Sequence, residues 1–146
     1  MRALALIVLF VPVAAFGERP LPHMRAVRVA ESPKLDGKLD DPAWQTAPVF
    51  DTFVQKFPKE GTRPSEQTMV RVIYDRDAIW VGVDCPQRKA EIIGRLTRRD
   101  RPIEADSITI DFDSRRAGTS AFEFAVNASG VLSDSLRFND TDSSSD

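Results

Sequence analysis

The stretch SITIDFD, residues 107–113, has the most regular alternation of apolar and polar side chains in this chain of 146 residues. Its apolar members are Ile108, Ile110 and Phe112, and its polar members are Ser107, Thr109, Asp111 and Asp113. Successive side chains of a β-strand point to opposite faces of a sheet. The stretch therefore predicts a strand with one apolar face and one polar face.

The same period occurs on both sides of this stretch. Downstream, FEFAVN (residues 122–127) alternates in the same way, and ASG then turns the chain into VLSDSLRF (residues 131–138). Upstream, TMVRVIY (residues 68–74) and AIWVGVD (residues 78–84) flank the short turn DRD. Strands with one polar face, joined by short turns, predict an antiparallel sheet. The expected fold is all-β, an antiparallel β-sandwich whose core is formed by the apolar stripes.

The upstream hairpin carries defined expectations for its two faces. The apolar stripe of its first strand is Val70, Val72 and Tyr74, and that of its second strand is Ile79, Val81 and Val83. Trp80 lies on the face opposite to this second stripe, so it either packs in the core or is exposed as a binding platform.

A corner and two short helices complete the predicted elements. In KLDGKLDDPAW (residues 34–44), Asp36 and Gly37 predict a turn, and Asp40 or Asp41 is expected to cap a helix that accepts Pro42 in its first turn. This helix would bring Trp44 into the core. A second helical turn is expected at residues 88–94.

The N-terminus predicts export. Arg2 precedes an apolar run from Ala3 to Ala15, which is shorter than the roughly 20 residues of a membrane-spanning helix and typical of a secretory signal peptide. We therefore predict a signal peptide at residues 1–15 and a periplasmic, outer-membrane-associated or extracellular protein. The chain contains one cysteine, so no internal disulfide is expected.

The remaining boundaries follow from composition. Residues 16–26 form a connecting segment, residues 27–138 form the predicted sandwich, and residues 139–146, NDTDSSSD, contain no apolar side chain. This last segment is expected to be a polar tail or a truncation point that leaves the sandwich incomplete at its C-terminal end. The formal net charge of −2 gives no indication of a nucleic-acid partner.

Four segments occur in an order that resembles family 9 carbohydrate-binding modules. They are KLDGKLDDPAWQTA, VRVIYDRDAIWVGVDCP, RRDRPIEADSITIDFD and FEFAVNASG, and the similarity covers residues 27–139. The chain is most similar to such modules at the N-terminus of bacterial exported proteins with a predicted outer-membrane barrel. The resemblance implies a non-catalytic β-sandwich that binds poly- or oligosaccharides at the cell envelope or beside a glycoside hydrolase. The alternative is a structural or interaction domain of a longer outer-membrane protein that has lost sugar binding.

Candidate ligand-binding residues follow from the resemblance and from the polar strand faces. They are Trp80, Arg99, Asp100, Asp106, Thr109 and Glu123. Arg99 and Asp100 are also expected to brace the loop that leads to Asp106. Ile103, Thr109 and Ala125 differ from the residue types that sugar-binding members have at these places. The residues expected to be structural are Asp36, Gly37, Asp41 and Trp44.

Two chemical alternatives arise from the carboxylates. Asp111, Asp113 and Glu123 are candidates for acid and base in glycoside hydrolysis, but a solvated face balanced by Arg71 or Arg115 is favoured, so no enzyme activity is expected. No cofactor is expected either. Calcium is the metal alternative, with oxygen ligands from Asp36, Asp40, Asp41 or Asp106.

Overall fold

The regular secondary structure of the described residues is almost entirely β-strand, as predicted. The computed structural model describes residues 22–88, 91–116 and 118–138, together with the backbone of 142–144, so the predicted signal peptide lies outside the described residues. The elements are β1 (Val27–Arg28), α1 (Pro42–Gln45), β2 (Met69–Tyr74), β3 (Ile79–Asp84), β4 (Ser107–Phe112), β5 (Ser120–Asn127), β6 (Leu132–Phe138) and β7 (Asp142–Ser144). The all-β class is therefore confirmed.

Two compact units share these elements. Of the described residues, the first contains 22–54 and Met69–Val83, and the second contains Gln55–Thr68 and those from Asp84 onward. The first unit carries a three-stranded sheet of order β1-β2-β3, in which β1 runs parallel to β2. The second carries a four-stranded sheet of order β4-β5-β6-β7, in which every pairing is antiparallel.

The first unit has a small aromatic core. Trp44, Ala47 and Ile73 are buried, and Leu39 and Trp80 pack against them. Burying a side chain of the size of tryptophan at ~25 cal/mol per Å² over ~200 Å² contributes about 5 kcal/mol. The predicted core role of Trp44, which is 4% exposed, is thus confirmed.

The buried faces of β2 and β3 differ in part from the predicted ones. In β2, Val70 of the predicted stripe is buried but Tyr74 is exposed, and Ile73 on the opposite face is fully buried. In β3, Trp80 packs against the core, whereas Ile79 of the predicted apolar stripe is 53% exposed. Steric fit explains the choice in β3, because Gly82 has no side chain and leaves room for the Trp44 ring.

The corner at residues 34–44 has the predicted turn and helix, but the side chain of Asp41 does not cap the helix as predicted. Asp36 Oδ1 accepts a hydrogen bond from Lys38 N at 3.0 Å, and Gly37 has a φ of 77°, as a turn requires. Asp41 occupies the N-cap position before Pro42, yet its side chain makes no capping bond. Its Oδ2 accepts from Lys34 N at 3.0 Å instead, so Asp41 ties the incoming chain to the helix start.

The four-stranded sheet has one apolar and one polar face, as the alternation predicts. Across the β4–β5 pair, Ile110 lies opposite Phe124 and Asp111 lies opposite Glu123. Across β5–β6, Phe122 lies opposite Leu136. The expectation that this apolar stripe is buried is wrong for many of its members, because Phe124 is 53% exposed and the stripe's other phenylalanines are similarly open.

Two further segments depart from the sequence-based expectations. The helical turn predicted at residues 88–94 is absent from the part of this segment that the structure describes, residues 88 and 91–94. Three residues of the predicted polar tail form β7, which pairs Ser144 with Leu136 and Asp142 with Phe138. Pairing satisfies the backbone groups of the β6 edge whatever the side chains are. Within the described residues, no helix is long and apolar enough to cross a bilayer.

Candidate ligand-binding site

Arg137 is the centre of the polar face of the four-stranded sheet. Its Nη1 lies 3.1 Å from Asp111 Oδ2 on β4 and 3.4 Å from Glu123 Oε2 on β5. Ser135 Oγ donates to Glu123 Oε1 at 3.2 Å. Strand pairing alone brings these four side chains together, because Glu123 lies opposite both Asp111 and Ser135. The guanidinium thus orients two carboxylates that are far apart in sequence.

An open cavity of about 280 Å³ adjoins this cluster. Its lining residues are Asp111, Asp113, Gly118, Thr119, Ser120, Ala121 and Arg137. Asp113 shapes the wall, because its carboxylate accepts from Arg115 N at 3.0 Å and from Gly118 N at 2.8 Å. The cavity therefore offers carboxylate acceptors, a guanidinium donor and a hydroxyl within one concave surface, a set that matches polyhydroxylated ligands.

The polar face contains two of the predicted ligand-binding residues. Thr109 and Glu123 both lie on this face, and Thr109 is opposite Ala125. The charge balance predicted for this face comes from a different cation, because Arg137 pairs with Asp111 and Glu123, where Arg71 or Arg115 was expected. Arg137 and Ser135 were missed, although their alternation in VLSDSLRF placed them opposite the apolar stripe and could have indicated them.

Arg99 and Asp100 brace the loop that leads to Asp106 by fastening it to β6. The Arg99 guanidinium bonds to Asp134 of β6 and lies 3.2 Å from Asp100 Oδ2. Asp100 Oδ1 accepts from Asp134 N at 3.0 Å, and Asp100 N donates to Leu132 O. The hydrogen bond and charge of Asp134, with the charge of Asp100, raise the pKa of Arg99 above its ordinary value. Arg99 and Asp100 therefore bind the part of the β6 edge that lies next to the stretch paired with β7.

Asp106 supports a separate loop. Its Oδ2 accepts from Ile93 N at 2.9 Å, and its own N–H donates to Ile93 O at 2.9 Å. Asn127 extends this support, because its side chain donates to Arg95 O and accepts from Ser129 N and Val131 N. With these bonds, Asp106 and Asn127 hold residues 93–95 against the beginning of β4 and the β5–β6 turn.

Trp80 belongs to the first unit, where it has structural partners. Its Nε1 donates to Asp75 Oδ2 at 2.9 Å, and its ring packs against the core. This placement favours the packing role over an exposed sugar platform. Nothing in the residues around Asp75 singles it out beyond its place in a turn.

Asp75 organises the turn between β2 and β3. Its carboxylate also accepts from Ser32 Oγ at 2.6 Å, from Asp77 N at 2.7 Å and from Ala78 N at 2.8 Å. These bonds, with that of Ser32 the largest contribution, hold the pKa of Asp75 far below its usual range. A cavity of about 380 Å³ beside it is lined by Arg28, Ser32 and Arg76, among others.

The carboxylates suggested as calcium ligands are spread over several turns. Among the described residues, no three His, Cys, Asp or Glu side chains converge in a way that could hold a metal ion. Asp36, Asp41 and Asp106 each accept a backbone hydrogen bond. Calcium binding stays a prediction of the sequence, and the structure adds no candidate ligand set to it.

In comparisons with known proteins, no family model, no curated protein and no solved structure matches the chain. The candidate site therefore rests on the geometry of the polar face.

Proposed function

We propose that this protein is a non-catalytic, exported carbohydrate-binding module that holds poly- or oligosaccharides at the cell envelope or beside a glycoside hydrolase. The observation that carries the proposal is the cavity lined by Asp111, Arg137 and Thr119, beside the connection between β4 and β5. Sugar hydroxyls both donate and accept, so an acceptor and a fixed donor in one concave surface suit them. The resemblance to family 9 modules points to the same ligand class.

The finer fold belongs to this proposal. A sheet with one polar and one apolar face is what a layer of a β-sandwich requires, since the apolar face must be covered by a second layer. Both faces are present in the four-stranded sheet of β4 to β7. We take the family 9 type of sandwich from the sequence resemblance.

A binding role fits the carboxylates better than a catalytic one. Hydrolysis of a glycosidic bond uses one carboxyl group that stays protonated and a second that is ionised. The Nη1 of Arg137 lies 3.1 Å from Asp111 and 3.4 Å from Glu123, so one guanidinium engages both carboxylates. The two carboxylates are therefore arranged to hold Arg137 for a ligand and not to flank a scissile bond.

The second candidate is an interaction domain of a longer outer-membrane protein. The large exposed apolar surface of β5 favours it, because Phe122 and Phe124 are about half exposed. Apolar surfaces of this kind often mark protein contacts. The two candidates differ in the face that they use: sugar binding needs the polar face, and protein contact needs the apolar face.

Affinity electrophoresis through gels that contain soluble polysaccharides, followed by a glycan array, tests the first candidate. We expect at least one neutral glycan to retard the protein, and Arg137→Ala to weaken this retardation about tenfold, because the guanidinium donates to the ligand and orients Asp111. Arg98→Ala is the matched control, since Arg98 is exposed and lies outside the cavity. Failure of every polysaccharide to bind, with the protein folded, would reject sugar binding.

A further inference from the structure

The apolar face of β4 to β6 is a continuous surface that carries a charged residue at only one position. Paired residues across an antiparallel ladder share a face. By this register, its apolar members are Ile108, Ile110, Phe112, Phe122, Phe124, Val126, Leu132, Leu136 and Phe138. Six of them, all but Ile108, Ile110 and Leu136, are between 38% and 53% exposed. Nine apolar side chains on one face are typical of the inner side of a sheet-on-sheet interface.

The one charge on this face is already neutralised. Asp134 lies opposite Phe124 across β5–β6, and Arg99 pairs with its carboxylate. An unpaired carboxylate at this place would oppose burial of the face, because a charge is costly to remove from water. The pair lies at the outer edge of β6, where the loop residue Asp100 also bonds. The face can therefore be covered without burying an unpaired charge.

The exposed area is close to what a stable dimer needs. A phenylalanine offers about 200 Å² to a partner, so four that are 42–53% exposed leave roughly 380 Å² per copy. Val126 and Leu132 raise the estimate to about 500 Å², and two copies together would bury about 1,000 Å². Stable specific interfaces bury about 1,200–2,000 Å², so this area reaches the lower limit for a specific protein interface.

We propose that the apolar face of β4 to β6 is the interface of a homodimer, in which the four-stranded sheets of two copies pack face to face. A second copy is a fitting occupant because its face has the same apolar composition, as an isologous interface requires. Its sheet would lie about 10 Å away, and the phenylalanines of the two copies would interdigitate. The polar face, with Arg137, stays open for a ligand in both copies.

Sedimentation equilibrium of the purified protein over a range of concentrations tests the dimer. We expect twice the chain mass, and a dissociation constant raised at least ~30-fold by Phe124→Asp, because Phe124 is the most exposed member of the face. Ser107→Asp is the matched control. It places the same charge on the polar face of the same sheet, where Ser107 is exposed, and should leave the dimer intact.

A cysteine pair keeps the test decisive if Phe124→Asp fails to fold. In a Cys85→Ser background, which removes the exposed native thiol, a bismaleimide that spans the ~10 Å between facing sheets should join Phe124→Cys into a covalent dimer and should leave Ser107→Cys monomeric. A monomer at every concentration, equal effects of the two aspartates, or aggregates of no defined mass would each overturn the proposal. None of these measurements uses a glycan, so loss of the dimer and loss of sugar binding are separate outcomes.

Discussion

Replacing Gly82 by alanine tests the packing of the first unit with one methyl group. Gly82 is buried in β3, and a Cβ placed on it would lie 2.7 Å from Leu39 Cδ2 and 2.9 Å from Trp44 Cζ3. Both distances are well below an ordinary carbon–carbon contact. The Leu39 methyl group can rotate away, but the Trp44 ring is held in the core.

Two opposing effects decide the sign of the change. Alanine in a strand interior is favoured over glycine by about 0.5–1 kcal/mol, because the unfolded chain loses freedom. Overpacking of a well-filled core costs about 1–3 kcal/mol. We therefore expect Gly82→Ala to lower the free energy of unfolding by about 1–2 kcal/mol and the melting temperature by roughly 3–10 °C.

Urea unfolding followed by tryptophan fluorescence measures this loss, since Trp44 and Trp80 both lie at the site. A double-mutant cycle with Leu39→Ala separates the two contacts. Leu39→Ala removes the clashing methyl group, so the double variant should be more stable than additivity predicts by at least ~0.5 kcal/mol. A remaining cost in the double variant would reflect the Trp44 ring.

The control is Ser107→Ala, at an exposed strand position, which should change stability by less than ~0.5 kcal/mol. A Gly82→Ala variant as stable as the parent protein would refute the reasoning. Strictly additive effects of Gly82→Ala and Leu39→Ala would show that the Leu39 contact is absent.

Two further predictions concern the same unit. Trp44→Ala should lower the free energy of unfolding by ~3–5 kcal/mol. Trp44→Phe should lower it by only about 1 kcal/mol, because this change also removes a buried indole N–H that has no partner. Equal losses for the two variants in urea unfolding would contradict this. Asp75 favours its ionised form in the native state, so its contribution to stability is complete above the unfolded pKa of ~3.9 and is lost as the pH falls below it. The Asp75→Asn variant should therefore be less stable than the parent protein at neutral pH, and it should lose less stability than the parent between neutral and acid pH. If the urea midpoint of the variant changes with pH as that of the parent does, the hydrogen-bond network does not act in this way.

Much of the fold could be predicted from local sequence patterns. The alternation in SITIDFD and FEFAVN placed β4 and β5 correctly, and the Asp36-Gly37 turn and Pro42 in the first turn of α1 are present. These features depend on backbone geometry over a few residues, which side-chain period and turn chemistry specify. For the same reason, the pairing of β4 with β5 followed from the short connection between them.

The candidate site was only partly predictable. Glu123 and Thr109 were placed on a polar face, but the Arg137 that orients Glu123 lies on another strand. Arg99 was expected to brace the loop before Asp106, but its partner Asp134, at a sequence separation of 35, could not be predicted. Partners at such distances depend on strand order and register, which no single segment encodes.

The sequence by itself determined where the strands and turns lie and that the sheet has two unlike faces, because these properties are set by neighbouring residues. Only the tertiary structure decided which faces are buried. Trp80 packs inward because Gly82 leaves space beside Trp44. The apolar stripe around Phe124 is exposed, although its alternation is more regular than that of β2 and β3. Burial depends on which surfaces meet, and a pattern along one strand carries no information about the surface that will cover it.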